Sequence, residues 1–248
     1  MPAVFVHGNP ETSAVWRPLV AELHRTDVVC LSPPGFGAPT PSGWAATRAE
    51  YVDWLVGELE AIDGPIDLVG HDWGGGHVVG VAMSRPDLLR SWCTDIAGVF
   101  HPDYVWHDAA QAWQTPGVGE EAVAGMVAAT AAERAALYAS LSIPTDVAAD
   151  MAAGCDAEMG RCILALYRSA AQPVMADLFE HLVDAARRPG LVVIASDDHY
   201  VGDESLATAS AERAGAEVAK LDGVGHWWMC QDPARGARTL EHFWASLG

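Results

Sequence analysis

The chain has 248 residues, with 14 Lys and Arg against 33 Asp and Glu, a formal net charge of −19. That length suits a single α/β domain, and the half of the residues that are apolar exclude a disordered chain and supply a large core. The acidity repels a phosphate backbone, so nucleic acid is not an expected partner. No apolar run is long enough for a membrane span, and no basic-then-apolar leader precedes the first motif, so neither a membrane segment nor a signal peptide is expected.

Short apolar runs read as strands at Ala3–Val6, Val28–Leu31, Ile66–Val69, Trp92–Ile96, Leu191–Ile194 and Glu217–Leu221. Amphipathic stretches between them, such as Arg48–Ile62, Gly76–Ser84 and Pro233–Leu247, read as helices. Strand–helix alternation implies βαβ units, a mostly parallel sheet and functional loops at the carboxyl ends of the strands. The alternation stops between about Phe100 and Pro189, where Glu121–Ala135, Met159–Ala171 and Val174–Arg188 look helical and no strand is evident. The expected organisation is an α/β core over 1–99 and 190–248, with a helical cap inserted over 100–189.

The cysteines Cys30, Cys93, Cys155, Cys162 and Cys230 are odd in number and lack CxxC spacing. Cys30 and Cys93 lie in strand-like runs, so buried thiols and a reducing cytoplasm are expected instead of disulfides. His101 and His107 stand near Asp103 and Asp108, but no metal-ligand spacing is present. Neither a metal nor a cofactor is expected.

Three segments carry chemistry. In Gly70-His71-Asp72-Trp73-Gly74 a strand ends in a Gly-x-Asp-x-Gly turn that opens a helix. Such an elbow lifts its central side chain over the sheet edge at a helix N-terminus; the plainer reading of Asp72 is an N-cap. His7-Gly8-Asn9-Pro10 follows the first strand and is placed to supply the Asn9 backbone N–H to an oxyanion hole, with Trp73 supplying the other. Gly223-Val224-Gly225-His226 follows the last strand. His226 fits the chain order nucleophile, acid, histidine. Asp198 in the loop after Leu191–Ile194 is the expected acid, with Asp197 its near competitor and Asp95 a distant one.

Together these motifs resemble the α/β-hydrolase fold, in the branch with an aspartate nucleophile that includes epoxide hydrolases and haloalkane dehalogenases. The resemblance implies two strands ahead of Ala3–Val6 that this sequence does not show, which puts Val28–Leu31 at a sheet edge. Edge pairing into a homodimer is one way to cover it. An aspartate elbow suits in-line attack at a saturated carbon, giving an alkyl ester on Asp72 that His226-activated water then hydrolyses.

The substrate is open between two classes. Tyr167-Arg168 resembles the Tyr-Arg pair of epoxide hydrolases, and Trp113–Glu120 resembles their Phe-Gln-x-Pro-Gly-x-x-Glu stretch. Their second tyrosine falls at Ala112 here, leaving Tyr104, Tyr138 or Tyr167 alone to assist. Asn9 points instead to dehalogenases, where that carboxamide and the indole after the nucleophile hold the halide. A non-catalytic ligand-binding relative is the third reading. Trp16, Trp106, Trp113 and Trp227 are the expected walls of a pocket for a small apolar substrate.

Overall fold

The computed structural model describes residues 1–248. Six strands form one parallel sheet: β1 (Ala3–Val6), β2 (Val28–Leu31), β3 (Ile66–Gly70), β4 (Leu89–Thr94), β5 (Gly190–Ala195) and β6 (Glu217–Leu221), in the order β2-β1-β3-β4-β5-β6. The chain runs outward from β1 to β2, then crosses back to lay β3 on the other side of β1. That reversal makes a crevice beyond the carboxyl ends of β1 and β3, the usual place for a ligand in an open α/β sheet. The register sets Val6 opposite Gly70, so the loops after them, His7–Asn9 and His71–Asp72, lie side by side.

The four central strands of the sheet are buried on both faces. Val4, Val6, Ile66 and Leu68 point into one core, and Ala3, Phe5 and Val69 into the other, as the two-residue period of a strand demands. The first core is closed by α2 (Arg48–Glu60), α3 (Trp73–Ser84) and α10 (Glu204–Arg213); the second by α1 (Arg17–Glu22), α11 (Trp228–Gln231) and α12 (Pro233–Ser246). β2 is an edge strand, and both Val29 and Cys30 are exposed on it. Cys30 is therefore not the buried thiol its apolar run implied. Its strand has no second neighbour to cover it, whereas Cys93 in central β4 is buried.

Between β4 and β5 the chain is helical: α4 (Asp108–Gln114), α5 (Val118–Ala128), α6 (Ala131–Ser140), α7 (Thr145–Ala153), α8 (Ala157–Ser169) and the single turn α9 (Val174–Asp177). The helix expected across Glu121–Ala135 is broken at Ala129. There Thr130 caps a new helix, accepting from Glu133 N while the Glu133 carboxylate takes Thr130 N. The tight-turned helix Phe179–Arg187 packs on α3 and belongs to the sheet's helical layer, not to the roof above the crevice. No helix is long and apolar enough to cross a membrane.

Candidate active site

Asp72 sits between β3 and α3 with φ 49° and ψ −131°, a backbone conformation that non-glycine residues rarely adopt. Its side chain makes no capping bond to α3. The carboxylate is turned out of the helix, which disposes of the N-cap reading. The turn is possible because its neighbours lack side chains. A Cβ on Gly74 would meet Val6 O at 2.2 Å, and one on Gly8 would meet Asp72 Oδ1 at 2.0 Å.

The Asn9 backbone N–H donates to Asp72 Oδ1 at 2.9 Å. The other oxygen, Oδ2, lies 3.7 Å from His226 Nε2. The opposite nitrogen, His226 Nδ1, is 2.8 Å from Asp198 Oδ2, and Asp198 Oδ1 accepts the Tyr200 N–H at 2.8 Å. Asp197 bonds the Ser196 hydroxyl instead, and Asp95 bonds His71, so neither reaches His226. Burial raises the Asp72 pKa, although His226 and His71 oppose the rise. Burial depresses His226, but the Asp198 carboxylate and, to a lesser extent, that of Asp72 act against it, and the net shift is upward.

Beneath the elbow lies a buried charged group that the motifs did not reveal. His71 Nδ1 is 2.6 Å from Asp95 Oδ2 and its Nε2 is 3.1 Å from Glu11 Oε1. Asp95 also takes the Asp72 N–H at 3.0 Å and the Trp228 indole N–H at 2.8 Å. Glu11 takes the Trp227 indole N–H at 2.5 Å. Burial works against charge here, yet the two carboxylates push His71 well above 6.5, and His71 in turn brings Glu11 down to about 2. Glu11, His71 and His226 bring ligand atoms within 4.8 Å of one another, but both His71 ring nitrogens are already taken up by the Asp95 and Glu11 carboxylates.

A cavity of about 390 Å³ opens over Asp72. Asn9, Trp113, Tyr138, Tyr167, His226 and Trp227 line it, with aliphatic walls from Ala109, Ala112, Met126, Leu137 and Leu141. A void of about 20 Å³ beside Asp72 is lined by Trp73, Tyr104, Trp106 and Tyr167. Of the four tryptophans expected as walls, Trp113 and Trp227 face the cavity and Trp106 the small void. Trp16 does not: it is fully buried in the core below the sheet edge, against Phe5, His71 and Trp228. Its ring belongs to the second core, where these side chains enclose it, and so it does not reach the cavity wall.

Tyr167 is buried among Trp73, Trp106 and Trp113. Its helix is fixed by Arg168, which forks onto Glu120 with two 2.8 Å bonds and donates to Trp113 O at 3.2 Å. Burial pushes the Tyr167 phenol well above its ordinary pKa, the nearby Asp72 charge adds to the rise, and the Trp73 indole opposes it. The two other tyrosines weighed from the sequence have their hydroxyls engaged: Tyr104 donates to Tyr200 O at 2.6 Å and Tyr138 to Pro10 O at 2.9 Å, whereas Tyr200, which lines both the cavity and the void, has only its backbone bonded. His107 lines both the cavity and the void, a position the sequence reading weighed only as a metal ligand. Its Nδ1 accepts the Ala110 N–H at 3.3 Å to cap α4, so the ring proton sits on Nε2; burial holds its pKa down to about 4. Both side-chain atoms of Asn9 are buried without a hydrogen-bond partner.

Residues 3–239 match the sequence profile of the alpha/beta hydrolase family. The chain belongs to that family. It is 33% identical over 96 residues to an epoxide hydrolase from Caballeronia sordidicola, which is 36% of this chain and 29% of that protein. It is 30% identical over 135 residues to a haloalkane dehalogenase from Mesorhizobium japonicum, 48% of this chain and 42% of that one. These matches span well under half of either relative's length. Among solved structures, E-2-(acetamidomethylene)succinate hydrolase superposes with a TM-score of 0.74 at 21% identity, covering 98% of this chain and 91% of the other, a likeness of fold.

Proposed function

We propose that this hydrolase uses Asp72 as a nucleophile and opens the ring of a small epoxide whose reacting end sits in a largely apolar cavity. The observation that carries the reading is the division of labour between the two Asp72 oxygens. Oδ1 is held by the Asn9 N–H, and Oδ2 stands free at the cavity floor near His226. Oδ2 attacks an epoxide carbon, the C–O bond breaks, and the Tyr167 phenol protonates the departing oxygen. A phenol with a raised pKa is fully protonated at neutral pH and so available as a donor. His107, which lines the same cavity and void with Nε2–H free of its cap bond, serves in this reading as a second donor to that oxygen. The product of this step is an ester on Asp72.

A water then attacks the Asp72 carboxyl carbon and gives its proton to His226 Nε2. Asp198 balances the imidazolium that forms. The oxyanion grows on Oδ1, already hydrogen-bonded to Asn9 N–H; such a donor is worth about 3–4 kcal/mol in comparable sites. Collapse breaks the ester C–O bond, the departing oxygen takes the proton left on the former water oxygen so that the diol is freed and Asp72 returns as a carboxylate, and the proton on His226 returns to the Tyr167 phenolate. An attack at carbonyl carbon through an aspartate gives a reactive anhydride, which weighs against ester hydrolysis.

One observation favours a second reading, dehalogenation. The Asn9 carboxamide has no partner, and its N–H₂ beside the nucleophile suits a departing halide. The two readings separate when the protein turns over an epoxide and a bromoalkane in heavy-oxygen water. Diol formation with label entering the Asp72 carboxylate supports the epoxide reading. Halide release with the same label supports the second. Product without label in Asp72 overturns the aspartate nucleophile, and no product with stoichiometric binding leaves a ligand-binding protein.

A further inference from the structure

Arg134 of α6 lines the same cavity as Asp72. Its Nε donates to Ala152 O at 3.1 Å, and its Nη1 to the carbonyls of Met126, Val127 and Ala129. Those carbonyls close α5 and α7, so half of the guanidinium is a helix cap placed where helix dipoles welcome a cation. The other half is unspent, since Nη2 makes no hydrogen bond and the side chain has no acidic partner. Arg17, Arg25, Arg85, Arg90, Arg161 and Arg168 each hold a carboxylate. Arg48, Arg188 and Arg238 also lack a carboxylate, but of these four arginines only Arg134 lines the largely apolar cavity over Asp72, and there it is an open position for an anion.

We propose that Arg134 anchors a carboxylate at one end of the substrate, so that the preferred ligand is an apolar chain with an acid at one end and its electrophilic carbon at Asp72. The walls between, Met126, Leu137 and Trp113, fit a hydrocarbon middle. The planar fork that already spans several carbonyls is held rigid, which lowers the entropy lost when Nη2 takes a carboxylate oxygen. The identity of the electrophile rests on the epoxide reading above; the anchor does not.

The test compares octanoate carrying a terminal epoxide with its methyl ester, in the parent and in Arg134→Gln and Arg134→Lys. The acid-to-ester ratio of kcat/KM is measured within each protein, so any loosening of the cap cancels. Binding of plain octanoate and octanamide is measured by calorimetry alongside. The parent is expected to favour the acid about 10- to 100-fold, through KM, as charge-assisted hydrogen bonds allow. Arg134→Gln brings the ratio to one or below, because the acidic surface repels the probe, and Arg134→Lys keeps part of the preference. Equal turnover of acid and ester by the parent, or an unchanged ratio in Arg134→Gln, overturns the anchor and leaves the epoxide reading standing. No turnover of either epoxide, with octanoate still bound more tightly than octanamide through Arg134, overturns the epoxide reading and keeps the anchor. No turnover and no preference for octanoate overturns both.

Discussion

His226 Nε2 stands 3.7 Å from Asp72 Oδ2, while its Nδ1 is held by Asp198 at 2.8 Å. The ring is thus oriented from behind, and its front nitrogen is not locked onto the nucleophile. A general base for water needs that freedom, because it acts only after Asp72 has been esterified. His226→Ala should therefore leave the first step intact and stop the second. Intact-protein mass spectrometry after substrate addition should show a stable adduct on Asp72. A variant that neither turns over nor gains mass, while still folded, refutes the two-step scheme.

Tyr167 of α8 and His107 at the start of α4 both line the small void beside Asp72. Removing the proton donor, Tyr167→Phe, should slow epoxide opening by about 10²- to 10⁴-fold. His107→Ala removes only one neutral hydrogen bond and should cost about tenfold. Neither change should slow displacement of bromide, which needs no proton. Single-turnover rates on both substrates decide it; equal losses on both would make these two residues packing alone.

Asn9 offers two groups with separate tests. Its backbone N–H holds Asp72 Oδ1 and survives substitution, whereas its carboxamide does not. Asn9→Ala should leave epoxide opening within a few-fold. If bromoalkanes are turned over at all, the same change should cut halide release about tenfold or more, the loss of a hydrogen bond to a charged group. Halide release unaffected by Asn9→Ala removes the observation on which the dehalogenase reading stands.

The strands and the elbow were legible because each depends on local signals: β-branched runs set the sheet, and flanking glycines set the turn. β1, β2 and β6 fall on the expected residues. The break before α6 was also written locally, in the spacing of Thr130 and Glu133, but the run of alanines across it has helical propensity throughout and masks the cap. Trp16 and Cys30 were misread for a different reason. Whether an apolar residue faces core, cavity or solvent depends on its neighbours in space, and these come from distant segments. Glu11 and His107 escaped the same way: their meaning comes from His71, 60 residues away, and from Tyr167 on another helix.

The pH dependence follows from the Asp198–His226 pair. His226 acts as a base only when neutral, so hydrolysis of the ester falls as pH drops through its pKa, which lies above 6.5. Burial lowers that pKa, and the Asp198 charge is the largest influence that lifts it. Asp198→Asn should therefore move the acidic limb of kcat to lower pH, alongside a large fall in the plateau from lost orientation of the ring. A pH–rate profile with its acidic limb unmoved in Asp198→Asn would assign that limb to another group.

The charged group below the elbow makes a prediction about stability. Glu11 is fully buried, shares His71 with Asp95, and also holds the Trp227 indole. Removing one member of a buried ion pair strands the others without solvent, at a cost of about 3–5 kcal/mol. Glu11→Gln should lower the unfolding free energy by that order in denaturant titrations near neutral pH. The signs at the two ends of the pH range differ. Glu11, depressed to about 2 from 4.5, stabilises the fold above 4.5 and loses that contribution as pH falls toward 2. His71, raised above 6.5, contributes fully below 6.5 and loses its contribution as pH climbs through the raised value. The parent should thus weaken at both extremes, and Glu11→Gln should flatten the acidic fall most, since its carboxylate supplies it. An acid limb of the same depth in Glu11→Gln would place the acid-labile group elsewhere.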